Sequence, residues 1–318
     1  MNKKAAIYCI SSRKEFLEKA LVNFYDNWNS VYDYPVYIHY WGKIYDDKKY
    51  VENIQSKISN KIKFIKIDVK IPDYLEEKDL FYNRNYNPYV KKKFTKKRVG
   101  YLHMLRFAIN VTSFGEIGCL GSELKNYDYL MRIDDDSWFK KKIEFDLFNE
   151  NYILASGFSA ERVPLKVRKN CSENLFNFYK YYLKKYNVFP KSEYLSEVLK
   201  NNDEDKFLQL PLPAGNLNIY NIKKFLEYPW QQYLKEVNNY AGDYKYRWTD
   251  NDVIGVFAHT YFNLPIYNYD LVKKGYYIPE FPEAGLAPNP EDKKIYYSNT
   301  IIYRLIKFLY RFVRNIFK

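Results

Sequence analysis

Tyr127-Asp-Tyr-Leu-Met-Arg-Ile-Asp-Asp-Asp-Ser-Trp-Phe139 is an apolar run that reads as a buried strand and then breaks into three consecutive carboxylates, Asp134, Asp135 and Asp136. Folding alone does not call for three adjacent acids at the end of a core strand. Alternate side chains of a strand share a face, so Asp134 and Asp136 are expected on one side and Asp135 on the other. Two hard oxygen ligands at the carboxyl end of an α/β strand suit Mg²⁺ or Mn²⁺, which take carboxylates together with substrate phosphates. A solvated acidic turn is the competing reading. The flanking sequence favours a site for metal and diphosphate.

Working outward, Ala5 to Ile10 reads as a first strand and Ser11 to Val22 as a loop feeding a helix, with Ser11 or Ser12 placed to cap it. Tyr34 to Tyr40 reads as a second strand, Lys48 to Ile58 as a helix, and Ile62 to Val69 as a third strand. Strands alternating with helices predict a mixed, mostly parallel sheet flanked by helices, a Rossmann-like α/β fold. Residues 71 to 98 form a long irregular excursion, and a helical apolar period resumes over Gly100 to Asn110. After the acidic stretch come a strand at Tyr152 to Phe158, an aromatic-rich helix at Asn174 to Tyr186 and a turn at Leu210 to Asn218. Short and longer helices follow at Ile222 to Leu226 and Asn251 to Tyr261. No repeat or flexible linker divides the chain, so residues 1–295 are expected to form one domain and 296–318 a C-terminal amphipathic helix.

The composition, 47% hydrophobic and 20% aromatic over 318 residues, excludes a disordered chain. The net charge of +13 is localised: Lys91, Lys92, Lys93, Lys96, Lys97 and Arg98, with Arg304, Lys307, Arg311, Arg314 and Lys318, carry eleven of the excess charges. Such patches attract any polyanion, including lipid head groups, sugar phosphates and nucleic acid. In the last segment the basic residues recur at spacings of three and four among Ile302, Leu305, Ile306, Leu309, Phe312, Val313, Ile316 and Phe317. That pattern suits a helix lying in a membrane interface without crossing it, with packing on the core or a second subunit as the alternative. Cys9, Cys119 and Cys171 are too dispersed for a zinc site or disulfide framework. No signal-peptide pattern opens the sequence, so a cytoplasmic chain, peripheral at a membrane surface through residues 299–318, is expected.

Four stretches together resemble glycosyltransferase family 15, the fungal α-1,2-mannosyltransferases, which move mannose from GDP-mannose with Mn²⁺ on a GT-A scaffold. Gly100-Tyr-Leu-His-Met-Leu-Arg-Phe107 looks like the family's Y-R-H-M-x-R-F helix, and Tyr127 to Asp136 is similar to its Y-D-Y-Y-W-R-V-E-P-D strand. Gly215-Asn-Leu-Asn-Ile219 looks like S-N-F-E-I, and Tyr246 to Ile254 resembles R-W-G-D-A-P-V-H. The order is kept over about residues 5 to 280. The resemblance implies a GT-A fold, a retaining α-mannosyl transfer, a nucleotide-sugar donor and a glycan or lipid-linked acceptor. It places Asp134 at the metal carboxylate and Arg132 at a contact to the donor diphosphate, with Tyr101 and Arg106 bordering the donor pocket and Arg13 touching the nucleotide. Asp136 is the candidate second metal ligand, with Mn²⁺ or Mg²⁺ as the cofactor.

Two departures stand out. Asn218 replaces the family glutamate, and an amide cannot act as a carboxylate nucleophile, which weakens a double displacement. No imidazole occurs at Gly275-Tyr-Tyr-Ile278, where the family has a metal-ligating histidine; the histidines here are His39, His103 and His259. Metal coordination is then completed by carboxylate, backbone, water or diphosphate oxygens. Asp250 and Asn218 are the candidate catalytic residues, Asp250 on the acceptor side; Asp250 as a helix cap is its competing reading. If Asp250 and Asp252 share a first helical turn, only one enters the site. Asn216 and Asn218 can bind sugar hydroxyls or serve as turn residues, and Trp138, Trp230 and Trp248 can stack on a sugar or pack the core. His103 and His259 read as packed residues. Three other functions compete: transfer from a UDP-sugar, metal-dependent phosphoryl transfer, and nucleic-acid binding by the lysine loop. The last is disfavoured because aromatics beside the lysines, Tyr89 and Phe94, are sparse and no recognised nucleic-acid motif surrounds them.

Overall fold

Ala5–Ile10 has no polar side-chain atom beyond the Tyr8 hydroxyl and the Cys9 thiol, and in the computed structural model it is strand β1, buried along its whole length. A strand apolar on both faces belongs inside a parallel sheet covered by helices on either side. The structure describes residues 3–68, 70–81, 99–111, 113, 123–149, 152–157, 165–213, 217–263, 266–271 and 274–278.

The remaining strands are β2 (Val36–Tyr40), β3 (Ile62–Lys66), β4 (Tyr129–Asp134), β5 (Trp138–Phe139), β6 (Leu154–Ser156), β7 (Leu217–Asn221), β8 (Tyr267–Asn268) and β9 (Tyr277–Ile278). A seven-stranded sheet runs in the order β3-β2-β1-β4-β7-β6-β8. β7 is antiparallel to both its neighbours while the other pairings are parallel, so the sheet is mixed and mostly parallel. β5 and β9 form a separate two-stranded ladder just past the acidic stretch.

Period-two alternation divides the core into two layers. Ala6, Tyr8, Leu130 and Tyr220 face a layer with Phe107, Tyr179, Trp230 and Phe257, supplied by the helices Val99–Asn110, Leu175–Tyr186, Trp230–Tyr240 and Asp250–Tyr261. Ile7, Cys9, Met131, Ile133 and Ile219 face the other, where Leu17, Leu21 and Ile54 come from the helices Lys14–Phe24 and Lys48–Lys57. The aromatic excess goes largely into this packing. Trp230 and Trp248 are fully buried and His259 nearly so, in keeping with the core reading of these three residues; His39 is fully buried as well.

The strands and helices expected between residues 5 and 261 are present with shifted ends: the strands Ile62–Lys66 and Leu154–Ser156 are shorter than expected, while the helices Val99–Asn110 and Asp250–Tyr261 each begin one residue earlier. The clearest difference is β7: Leu210 to Asn218 was expected as a turn, yet Leu217–Asn221 is an inner strand between β4 and β6. Its five residues include two asparagines, a composition typical of turns, and burial on both faces overrides that preference. Residues 82–98, 214–216 and 279–318 are outside the described residues; with them lie the expected lysine loop, Asn216 and the C-terminal helix. Among the described residues no helix is long and apolar enough to cross a membrane.

Candidate active site

β1 and β4 end side by side, with Ile10 opposite Asp134, so the loop Ser11–Arg13 and the acidic stretch emerge at one edge. β4 stops at Asp134 because a turn closes there. The Asp134 N–H donates to Ser137 Oγ at 3.1 Å, and the Ser137 N–H donates back to the Asp134 carbonyl at 3.1 Å. Strand alternation therefore governs Asp134 and no residue beyond it.

Asp134 lies on the face of Arg132, whose Nε donates to Asp134 Oδ1 at 2.9 Å and whose Nη1 donates to Asp250 Oδ2. Asp135 turns to the β1 loop instead: its Oδ2 accepts from Ser11 Oγ at 2.9 Å and from the Ser12 N–H at 3.4 Å, and Arg13 Nη2 donates to its Oδ1. The same Arg13 nitrogen reaches Asp136 Oδ2 at 2.8 Å. The expected pairing of Asp134 with Asp136 against Asp135 is thus replaced by an Asp135–Arg13–Asp136 bridge, since residues 135 and 136 belong to the turn. Asp136 remains electrically close to Asp134, acting on it more strongly than Asp135 does.

Four carboxylates (Asp134, Asp135, Asp136, Asp250) here face two guanidiniums (Arg13, Arg132), an excess of two negative charges among these side chains. Burial, and then the repulsion of Asp136, Asp135 and Asp250, push the Asp134 carboxyl up to about 6 against the pull of Arg132. Its side chain is 24% exposed, the most open of the four whose exposures are 5% for Asp135, 12% for Asp136 and 4% for Asp250. An acid pushed toward neutrality by burial and by neighbouring carboxylates is suited to a divalent cation, and the donor set is all hard oxygen. Among the described residues no group of three or more His, Cys, Asp or Glu side chains converges, so such a cation would also need water or ligand oxygens.

Asp250 opens the helix Asp250–Tyr261 without capping it. Thr249 is the cap: its Oγ1 accepts from the Asp252 N–H at 3.2 Å while Asp252 Oδ2 accepts from the Thr249 N–H at 3.0 Å. Asp252 further binds Ser172 Oγ at 3.1 Å and Arg168 Nη2 at 2.8 Å. Only Asp250 of the two reaches Arg132, as their spacing on the helix predicts.

Asn218 on β7 stands opposite Arg132 and is fully buried. Its Nδ2 lies 3.5 Å from Asn251 Oδ1, and on the same sheet face the Tyr220 hydroxyl lies next to both Asn218 and the Tyr8 hydroxyl. The helix Val99–Asn110 presents two stripes. Met104 approaches Arg132, its Sδ lying 3.8 Å from Nη2, and Tyr101, three residues earlier on that stripe, meets Arg247. Arg106 and His103 turn away: Arg106 pairs with buried Asp243 at 2.9 Å and bonds Asn238, while His103 Nδ1 lies 2.8 Å from the Tyr244 hydroxyl. Arg106 is therefore not brought to the acidic cluster; its guanidinium is taken up in tying three helices together. Trp138 is half-buried on β5.

Sequence reasoning missed the bracing role of Asp135 and the place of Arg247. Asp135 was set aside by the alternation rule, and nothing in the chain announces that Arg247 adopts a left-handed backbone.

No protein-family model matches this sequence, and no curated protein matches it. Solved structures do. The mannosyltransferase Ktr4p from Saccharomyces cerevisiae superposes with a TM-score of 0.63 at 18% identity, over 84% of this chain and 69% of that one. Core-mannan synthase A from Aspergillus fumigatus, in its Mn/GDP form, gives 0.66 at 16% identity, over 84% and 73%. Ktr4p in complex with GDP gives 0.64 at 17% identity, over 87% and 71%. The chain has the GT-A glycosyltransferase fold that these fungal enzymes share.

Proposed function

We propose that the protein is a metal-dependent glycosyltransferase that takes mannose from GDP-mannose and extends a glycan or lipid-linked acceptor. The observation that carries this reading is the acidic excess around Arg132 at the joint carboxyl ends of β1 and β4, where open α/β sheets bind ligands. Support comes also from the Mn/GDP and GDP forms of the structures it resembles. The carboxylates fit Mn²⁺ or Mg²⁺, with Asp134 and Asp136 as its holders; when bound, the cation supplies positive charge to a departing diphosphate.

The chain's own groups do the rest. Arg132, fixed between two carboxylates, orients Asp134 and adds a cation beside the diphosphate. Asp250 is nearly sealed from solvent and gives Oδ2 to Arg132, which makes it the anchor of that guanidinium ahead of an acceptor base. Arg13 meets the nucleotide from the β1 loop, and Tyr101 borders the donor. Asn218, an amide beneath Arg132, offers a hydrogen-bonding group and no nucleophile. The basic amphipathic pattern of residues 299–318 supports an acceptor held at an anionic membrane surface.

The test is GDP release from GDP-mannose with Mn²⁺ or with chelator, beside a panel of UDP-sugars, and a thermal-shift screen of nucleoside diphosphates. Mn²⁺-dependent release and a GDP-selective shift are expected. Turnover of a UDP-sugar alone reassigns the donor. Absence of turnover together with absence of any nucleotide shift overturns the reading.

A further inference from the structure

We infer that Arg247 is a positioning residue of the donor site, acting through Tyr101 on the oxygens of a nucleoside diphosphate; this rests on the donor-side reading of Tyr101. Seven described residues other than glycine have positive φ, and five are Asn or Asp, which tolerate it. Arg247, at φ +62°, does not belong to that class. It ends the helix Gly242–Tyr246, and its N–H and that of Trp248 both return to the Gly242 carbonyl. Glycine or asparagine is the usual residue for such a helix end, because an ordinary side chain crowds the backbone there. The arginine is retained at a steric cost, and its side chain shows a use for it.

The guanidinium carbon sits 5.0 Å from the Tyr101 ring centroid. Nη2 donates to the Tyr101 hydroxyl at 3.1 Å, and Nη1 donates to Cys171 Sγ. Ring and hydroxyl are thereby both held by one planar group. Three residues later Asp250 grips Arg132, and one turn along the tyrosine's helix Met104 touches that same Arg132. The left-handed residue therefore sends one side chain to Tyr101 and starts the segment that delivers Asp250. A phenol oxygen accepting from a guanidinium is polarised, which makes its own O–H a stronger donor to an oxyanion.

The experiment is calorimetric titration of the full chain with GDP and Mn²⁺, comparing wild type, R247Q, Y101F, the double variant and R247G. R247Q and Y101F are each expected to weaken binding by about tenfold, the loss of one charge-assisted hydrogen bond. The double variant should weaken it no further than the worse single one. R247G should bind as poorly as R247Q yet melt no lower, because glycine takes the left-handed backbone freely. R247Q binding like wild type, effects of the two substitutions that multiply, or R247G retaining affinity overturns the inference. A wild-type chain that binds no nucleoside diphosphate overturns the donor-site reading and this inference with it.

Discussion

Replacing Asp134 by Asn should raise the stability of the metal-free protein at neutral pH. The amide keeps an oxygen for Arg132 Nε, so the hydrogen bond seen at 2.9 Å survives while the charge is lost. In the folded chain the carboxyl is pushed up to about 6 from an ordinary 3.8. The folded state therefore holds this proton where the unfolded chain has released it, and stability falls as pH rises from about 4 to about 6. Above that window the full penalty applies; below about 4 it vanishes. Two pH units correspond to at most about 3 kcal/mol. A side chain 24% exposed is partly screened, which brings the figure to about 1–3 kcal/mol. For a chain of this size that is about 2–6 °C in Tm. The assay is thermal melting with chelator at steps from pH 4 to pH 8, taking D134N minus wild type so that other titrating groups cancel. The difference should be near zero at the acid end and grow positive to a plateau above pH 6. Excess Mn²⁺ should then stabilise wild type alone. A flat difference, or a variant less stable at neutral pH, refutes the argument that burial and neighbouring carboxylates leave the Asp134 charge under-compensated until a cation binds.

Two further perturbations test the frame of the site. R132Q strands Asp134 and Asp250 without a cation, and breaking a buried pair of this kind costs about 3–5 kcal/mol; urea melts should show that loss at neutral pH and a partial recovery in acid, where the carboxylates protonate. G242A drives a Cβ into the ring of fully buried Trp248, so it should lower stability by about 1–3 kcal/mol by the same measurement, whereas an unchanged midpoint contradicts the packing described.

The acidic stretch and the βα rhythm of residues 5–66 were legible because the apolar runs of β1 and β2 and the partly alternating β3, separated by amphipathic helices, have few alternative structures. β7 was not, since Leu217–Asn221 is strand only by virtue of the neighbours that bury it. At the site, Arg132, Asp134 and Asp250 were all named from sequence, and the structure brings them into one ion-paired group. Period-two reasoning did not foresee that Arg13 bridges Asp135 and Asp136, because alternation ends at the Ser137 turn. Arg106 was drawn in by its motif position, yet helical geometry sets it about 200° from Met104 and toward Asp243. Long-range pairings of this kind, such as Arg13 with Asp135, join residues that no local pattern relates.

The most direct measurement is the affinity of the protein for GDP with and without Mn²⁺, in wild type and D134N, by titration calorimetry. Binding by wild type that tightens at least about tenfold with Mn²⁺, and a D134N chain largely indifferent to the metal, is the expected result. GDP affinity equal with Mn²⁺ and with chelator, or full metal dependence kept in D134N, contradicts a cation seated on Asp134.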